Sequence, residues 1–254
     1  MESLEKLISW CSRKNIVVIG GGPSLDVCID EITNLIGDDT VFLLTDIVSS
    51  NFIKMFPESN RLIFTVEPRR HNYLINLQNE LIACYLRAEK KNFSEKNNKC
   101  YMFHFDIDEL DTEDSLSIKS PGTVSGAIIY WSLMVSKFNG NKSSIFLFGI
   151  DLCYIDNQVY NRLCQFTFKH DYWNNRESRE WVAILKRTAN IIYFNGFLIR
   201  SSFEFSTTKK KLEILLEGGG NVVYDYSPLG ISSNFVKKVI PNKISSESFR
   251  DIIR

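Results

Sequence analysis

Short apolar runs recur from Ile16 to Asp151, and stretches with helical patterning separate them. Ile16–Gly20, Thr40–Asp46, Arg61–Glu67, Cys100–Asp106 and Ser143–Asp151 read as strands, the last strongly apolar and so buried on both faces. Ser24–Ile36 and roughly Thr123–Lys137 read as helices. Strands alternating with helices can close only as βα units, which predicts a central parallel sheet with helices on both faces. Ligands of such sheets lie at the carboxyl ends of the strands. That rule gathers Gly20–Ser24, Thr45–Asp46, Glu67, Thr123–Gly126 and Gly149–Asp151 around one crevice.

After Asp151 the pattern changes. "LCYIDNQVYNRLCQFTFKHDYWNNRESREW" is aromatic and polar with no clean period. It reads as an irregular lid over about 152–176, with a helix from about Glu177. A helix near Thr207–Glu217, the break "EGGGN", a strand "VVYDY" and a weakly patterned tail after Pro241 follow. The expectation is a Rossmann-like α/β fold forming one domain over residues 1–254, a length that can bury a substantial core.

The 30 basic and 30 acidic side chains cancel, which argues against nucleic acid as the main partner. The run Lys209–Lys211 reads as a solvated helix start. Six cysteines, at 11, 28, 84, 100, 153 and 164, include no C-x-x-C pair, so neither a zinc site nor a redox motif is indicated. A reducing, cytoplasmic setting fits that usage better than a disulfide scaffold. The amino terminus is amphipathic without the apolar core of a signal peptide, and no run approaches the roughly 20 apolar residues of a membrane span. Peripheral attachment at the inner face of a membrane stays open, as does the oligomeric state.

In "IVVIGGGPSLD", a β-branched strand stops at Gly20, Gly21 and Gly22, followed by Pro23, Ser24, Leu25 and Asp26. Backbone this bare suits phosphate oxygens, with Ser24 donating its hydroxyl at the start of the next helix. A tight turn without a ligand is the alternative. A dinucleotide fingerprint fits poorly, because Leu25 stands where G-x-G-x-x-G wants its last glycine, although Asp46 could hold a ribose. No lysine follows the glycines, so a Walker P-loop is excluded.

Taken together, "GGGPSLD", "SPGTVSGAIIYWSLMV" and "FLFGIDLCY", in this order and spacing, resemble the superfamily of bacterial sialyltransferases and motility-associated-factor (Maf) glycosyltransferases. That superfamily also includes the archaeal 6-hydroxymethylpterin diphosphokinases. The likeness spans about Ile16–Tyr154 and, more loosely, "VYDYSPLGI". It implies transfer of a nonulosonic acid or other sugar from a nucleotide-activated donor, such as a CMP-linked one, to a glycan or protein hydroxyl, with no cofactor required. It carries phosphate and ribose contacts onto Gly21, Gly22 and Ser24. Further nucleotide contacts fall on Thr123, Ser125 and Gly126, with Val124 where the family's threonine stands, and the last turn falls on Gly149, Ile150 and Asp151.

Two departures matter. The sialyltransferases place asparagines at the ends of strands two and three, where this chain has Thr45 and Glu67, with Asp46 adjacent. Acids there would repel phosphate unless a cation intervened. That opens a second reading, an Mg2+-dependent diphosphokinase using ATP on a hydroxymethylpterin-like substrate. A third is a non-catalytic nucleotide-binding protein. The three histidines are His71, His104 and His170. His71, after Arg69 and Arg70, reads as solvated and His104 as a structural strand residue. His170, in the lid, is the candidate base, since an imidazole titrates near working pH. By the same resemblance Tyr154 and Tyr160, with Tyr172, would steady the leaving phosphate.

Overall fold

The computed structural model describes residues 4–13, 15–66, 74, 77–85, 97–105, 116–118, 122–155, 161, 163–164, 188–194, 197–217, 222–227 and 236–238. In chain order these give α1 (Leu4–Cys11), β1 (Asn15–Ile19), α2 (Leu25–Thr33), β2 (Thr40–Thr45), α3 (Asp46–Met55) and β3 (Arg61–Thr65). Next come β4 (Leu81–Tyr85), β5 (Lys99–Phe105), β6 (Leu116–Ile118), α4 (Val124–Phe138), β7 (Ser144–Phe148) and β8 (Tyr154–Ile155). The remainder is β9 (Thr188–Phe194), β10 (Phe197–Ser202), α5 (Phe203–Glu217), β11 (Val222–Asp225) and β12 (Val236–Lys238).

Nine strands form one sheet in the order β12-β11-β7-β1-β2-β3-β4-β5-β6. Every neighbouring pair in it is parallel. The expected α/β class, a parallel sheet with helices, is therefore the observed one. The chain lays down β1 to β6 in one direction, then returns to place β7 on the other side of β1. The topological switch point thus lies between β1 and β7. Right-handed crossovers put helices of the two halves on opposite faces. Helix α4 crosses β1, β2 and β3 on one face and also meets α1 and α5.

Strand composition explains the burial. Val17, Val18, Ile19, Phe42, Leu43 and Leu44 are fully buried, as residues covered by helices on both faces must be. Trp131 of α4 packs edge-on against Phe64 at 5.8 Å between ring centroids, filling the core across β3. On the other wing, Phe148 stacks on Tyr226 at 4.4 Å and Phe146 on Tyr224 at 5.1 Å, joining β7 to the β11 segment.

Two local features differ from the sequence expectation. Strands β4 and β6 are additional to the expected ones, since "LIACY" and "LSI" are runs too short to show a strand period. A second, antiparallel sheet of order β8-β10-β9 also forms, β8 from the expected lid and β9 and β10 from a stretch for which no strand was expected. Of the expected lid, only 152–155, 161 and 163–164 lie within the described residues, and the helix expected from Glu177 starts outside them.

Candidate functional site

The glycine turn sits at the carboxyl end of β1, beside the turn that ends β7, and the two are tied together. Gly20 N–H donates to Phe148 O at 2.8 Å, and Gly22 N–H donates to Gly149 O, also at 2.8 Å. Ser24 N–H then donates to Asp151 Oδ2 at 2.8 Å, wholly buried. A Cβ placed on Gly20 would stand 2.5 Å from Gly149 O and 2.6 Å from Ile150 Cδ1. One on Gly22 would collide with the Asp151 carboxylate and stand 2.7 Å from Gly149 O. Bare backbone is required here because two turns of the same chain touch.

The same contacts occupy part of the expected phosphate cradle. At the start of α2, Leu25 N–H and Asp26 N–H are taken by Gly22 O and Pro23 O at 3.2 Å each. The anion that meets this helix end is the Asp151 carboxylate, well placed by the helix dipole. Ser24 is fully buried, and its Oγ finds no partner among the described residues. Of the groups expected at a phosphate, Gly22 N–H is thus taken by Gly149 O, while Ser24 Oγ is buried without a partner among the described residues. Gly21 and Gly22 are the half-buried members of the turn.

Asn161 closes the turn, and nothing in its sequence context announced it. Its N–H donates to Gly21 O at 2.9 Å. Its Nδ2 reaches Gly20 O at 3.3 Å and Gly22 O at 3.2 Å, and its Oδ1 accepts from Leu163 N–H at 2.8 Å. Asn51 of α3 anchors the same segment by donating from Nδ2 to Leu163 O at 2.9 Å. A third turn joins from β11: Ser227 Oγ accepts from Ile150 N–H, and Asp225 Oδ1 accepts from Ser227 N–H, both at 2.8 Å.

Asp46, the first residue of α3, is 6% exposed. Its Oδ2 accepts from Thr65 Oγ1 at 2.7 Å, and its Oδ1 from Ile47 N–H at 2.9 Å. Thr45 Oγ1 lies 3.4 Å from Ile19 O, a long bond. At α4, Thr123 is the N-cap and its Oγ1 accepts from Gly126 N–H at 3.0 Å, so its hydroxyl serves the helix. Ser125 is half-buried in the first turn. Tyr154 lies in β8 with its ring 5.3 Å from Phe205. His104 is buried in β5, as a structural residue would be. Glu67, Arg69, Arg70, His71, Tyr160, His170 and Tyr172 lie outside the described residues.

Carboxylates gather around two thiols of this region. Burial pushes the Cys28 thiol up, and Asp151, Glu31 and Asp225 add to it. Burial likewise raises Cys164, with Asp26 and Asp46 contributing. Among the described residues, no group of three or more His, Cys, Asp and Glu side chains is placed to hold a metal ion. None of their helices is long and apolar enough to cross a membrane. No family model, curated protein or solved structure matches the chain.

Proposed function

We propose that this chain is a nucleotide-dependent transferase of the glycosyltransferase kind, moving a nonulosonic acid or similar sugar from a CMP-type donor to a glycan or protein hydroxyl. The observation that supports it is topological. A glycine turn and the Gly149–Asp151 turn flank the β1/β7 switch point, where open parallel sheets bind nucleotides. In this reading the donor lies along the glycine turn at Gly21 and the first turn of α4 at Val124 and Ser125. Asp46, at the end of β2, accepts from a ribose hydroxyl. The acceptor oxygen attacks the anomeric carbon, the bond to the phosphate oxygen breaks, and CMP leaves with the electron pair. His170 takes the acceptor's proton and Tyr154 and Tyr160 hydrogen-bond the departing phosphate.

Thermal shift with CMP, UDP, GDP and ATP, each with and without Mg2+, tests this. Cytidine nucleotides should raise the Tm without metal, since saturation at 100 times Kd is worth about 2.7 kcal/mol. Stabilisation by ATP with Mg2+ alone would replace the proposal with pyrophosphoryl transfer. Binding without turnover on any donor and acceptor would leave the non-catalytic nucleotide-binding reading.

A further inference from the structure

Arg200 lies in β10, directly opposite Tyr154 of β8 in the antiparallel register. It is half-buried, and its Nε is buried with no hydrogen-bond partner. The one ion pair formed among the described residues joins Arg61 to Glu80, so no described carboxylate neutralises Arg200. Glu204, the acid in the first turn of α5, is not within pairing distance of it. A partly dehydrated guanidinium without a counter-charge is costly, and its planar fork suits two oxygens of one oxyanion.

The surroundings add to this. Arg200 follows the buried Ile199 in β10, and the strand ends at the buried Ser202. Ser202 Oγ accepts from Phe205 N–H at 3.2 Å and so caps α5. The positive end of that 15-residue helix therefore begins at Phe203, three residues beyond Arg200. Tyr154 and Phe205 are in ring contact beside it. Tyr154 also follows Asp151 by three residues, a span of at most about 10 Å of extended chain.

From this we infer that Arg200 anchors an oxyanion subsite for the small-molecule substrate, next to the switch point. It rests on the transferase reading only in naming the donor sugar's carboxylate as the anion held there. A phosphate is the other source of the same chemistry.

The test is calorimetric titration of the full chain, with ionic strength held by NaCl. The probes are N-acetylneuraminic acid, its methyl ester, inorganic pyrophosphate and CMP, used on the wild type, Arg200→Lys and Arg200→Met. The wild type should bind the acid at least about tenfold better than the ester. Arg200→Met should lose about ten- to hundredfold for the acid, the scale of hydrogen bonds to a charged group, and Arg200→Lys should lose less. The apo Tm of Arg200→Met should equal or exceed that of the wild type, since no pair among the described residues is broken. Loss of the acid with pyrophosphate retained identifies a carboxylate subsite, and loss of pyrophosphate identifies a phosphate one. If CMP fails on the wild type while anion binding still depends on Arg200, the transferase reading falls and the subsite stands. Equal anion binding by wild type and Arg200→Met, no anion binding by the wild type, or an Arg200→Met chain that does not fold would each overturn the subsite.

Discussion

Two regions of the molecule treat a half-buried arginine in opposite ways. At the amino end of β3, Arg61 grips both oxygens of Glu80 at 2.9 and 2.7 Å and donates again to Pro57 O at 2.7 Å. In the small antiparallel sheet, Arg200 keeps a buried Nε with no hydrogen-bond partner among the described residues. A desolvated cation whose counter-charge is built in belongs to the frame, and one without a described counter-charge is where the inferred oxyanion subsite falls. The glycine turn falls on the Arg61 side of this comparison. Its helix end already holds an anion, Asp151, and its carbonyls already hold a donor, Asn161. The stretch that most resembles a receptor in sequence is therefore largely satisfied internally, while the receptor-like group lies on a strand with no motif.

The largest expected effect breaks the satisfied region. Gly149 has φ +64°, and a Cβ there would stand 2.8 Å from Gly20 O and 3.2 Å from Leu25 Cβ. Gly149→Val adds a left-handed backbone penalty of about 1–2 kcal/mol to an overpacking cost of about 1–3 kcal/mol. Urea denaturation should show a loss of about 2–5 kcal/mol or no folded protein. Gly37, with nothing within 4 Å of its Cβ position, is the control, and Gly37→Ala should gain about 0.4–1 kcal/mol. Equal behaviour of the two variants would mean that the turns do not interlock.

How much of this was legible follows from the range of each interaction. Strand periodicity is local, so β1, β2, β3, β5 and β7 could be read from composition, and with them the carboxyl edge that carries the candidate site. The tie between Ser24 and Asp151 spans 127 residues and that between Asn161 and Gly20 spans 141, and no local pattern encodes either. "GGGPS" announces only that side chains are excluded. Whether a phosphate or the chain's own Gly149 turn excludes them is decided by tertiary structure. Strands β9 and β10 were hidden because "ANIIYF" and "FLIRSS" fell after an aromatic stretch that masked their alternation. Arg200 was passed over because an arginine in a strand carries no signal until its partners can be counted.

A second prediction sharpens the satisfied side by titrating it. Burial pushes the Cys11 thiol from 9.0 to about 12, and Cys28 and Cys164 are also raised by burial first and nearby carboxylates second. The folded chain thus holds these protons more tightly than the unfolded one. The resulting stability is fully present below about pH 9 and is lost as pH rises through the folded values. The urea midpoint should stay level on this account up to about pH 9 and fall beyond it. Cys11→Ala should flatten that alkaline limb, and an unchanged limb would show that Cys11 is not its source.

The smallest effect concerns the one exception inside the satisfied turn. Ser24 sits with φ −61° and ψ −18°, makes no side-chain cap bond, and is 0% exposed with its Oγ unpartnered among the described residues. Its N–H, not its hydroxyl, meets Asp151. Ser24→Ala keeps that bond and removes a buried hydroxyl whose desolvation costs about 1–3 kcal/mol by mutational measures. The variant should be as stable as the wild type or more stable by up to about 1 kcal/mol, once the small lost volume is set against that gain. Calorimetric titration with CMP should give the same affinity as the wild type, because the hydroxyl faces the interior. A drop of about ten- to hundredfold would mean that a ligand phosphate reaches Ser24 after all, displacing Asp151 from the helix end. Measured together, stability and affinity separate the two cases: a hydroxyl that only costs stability belongs to the interlocked turns, and one that costs affinity belongs to the site.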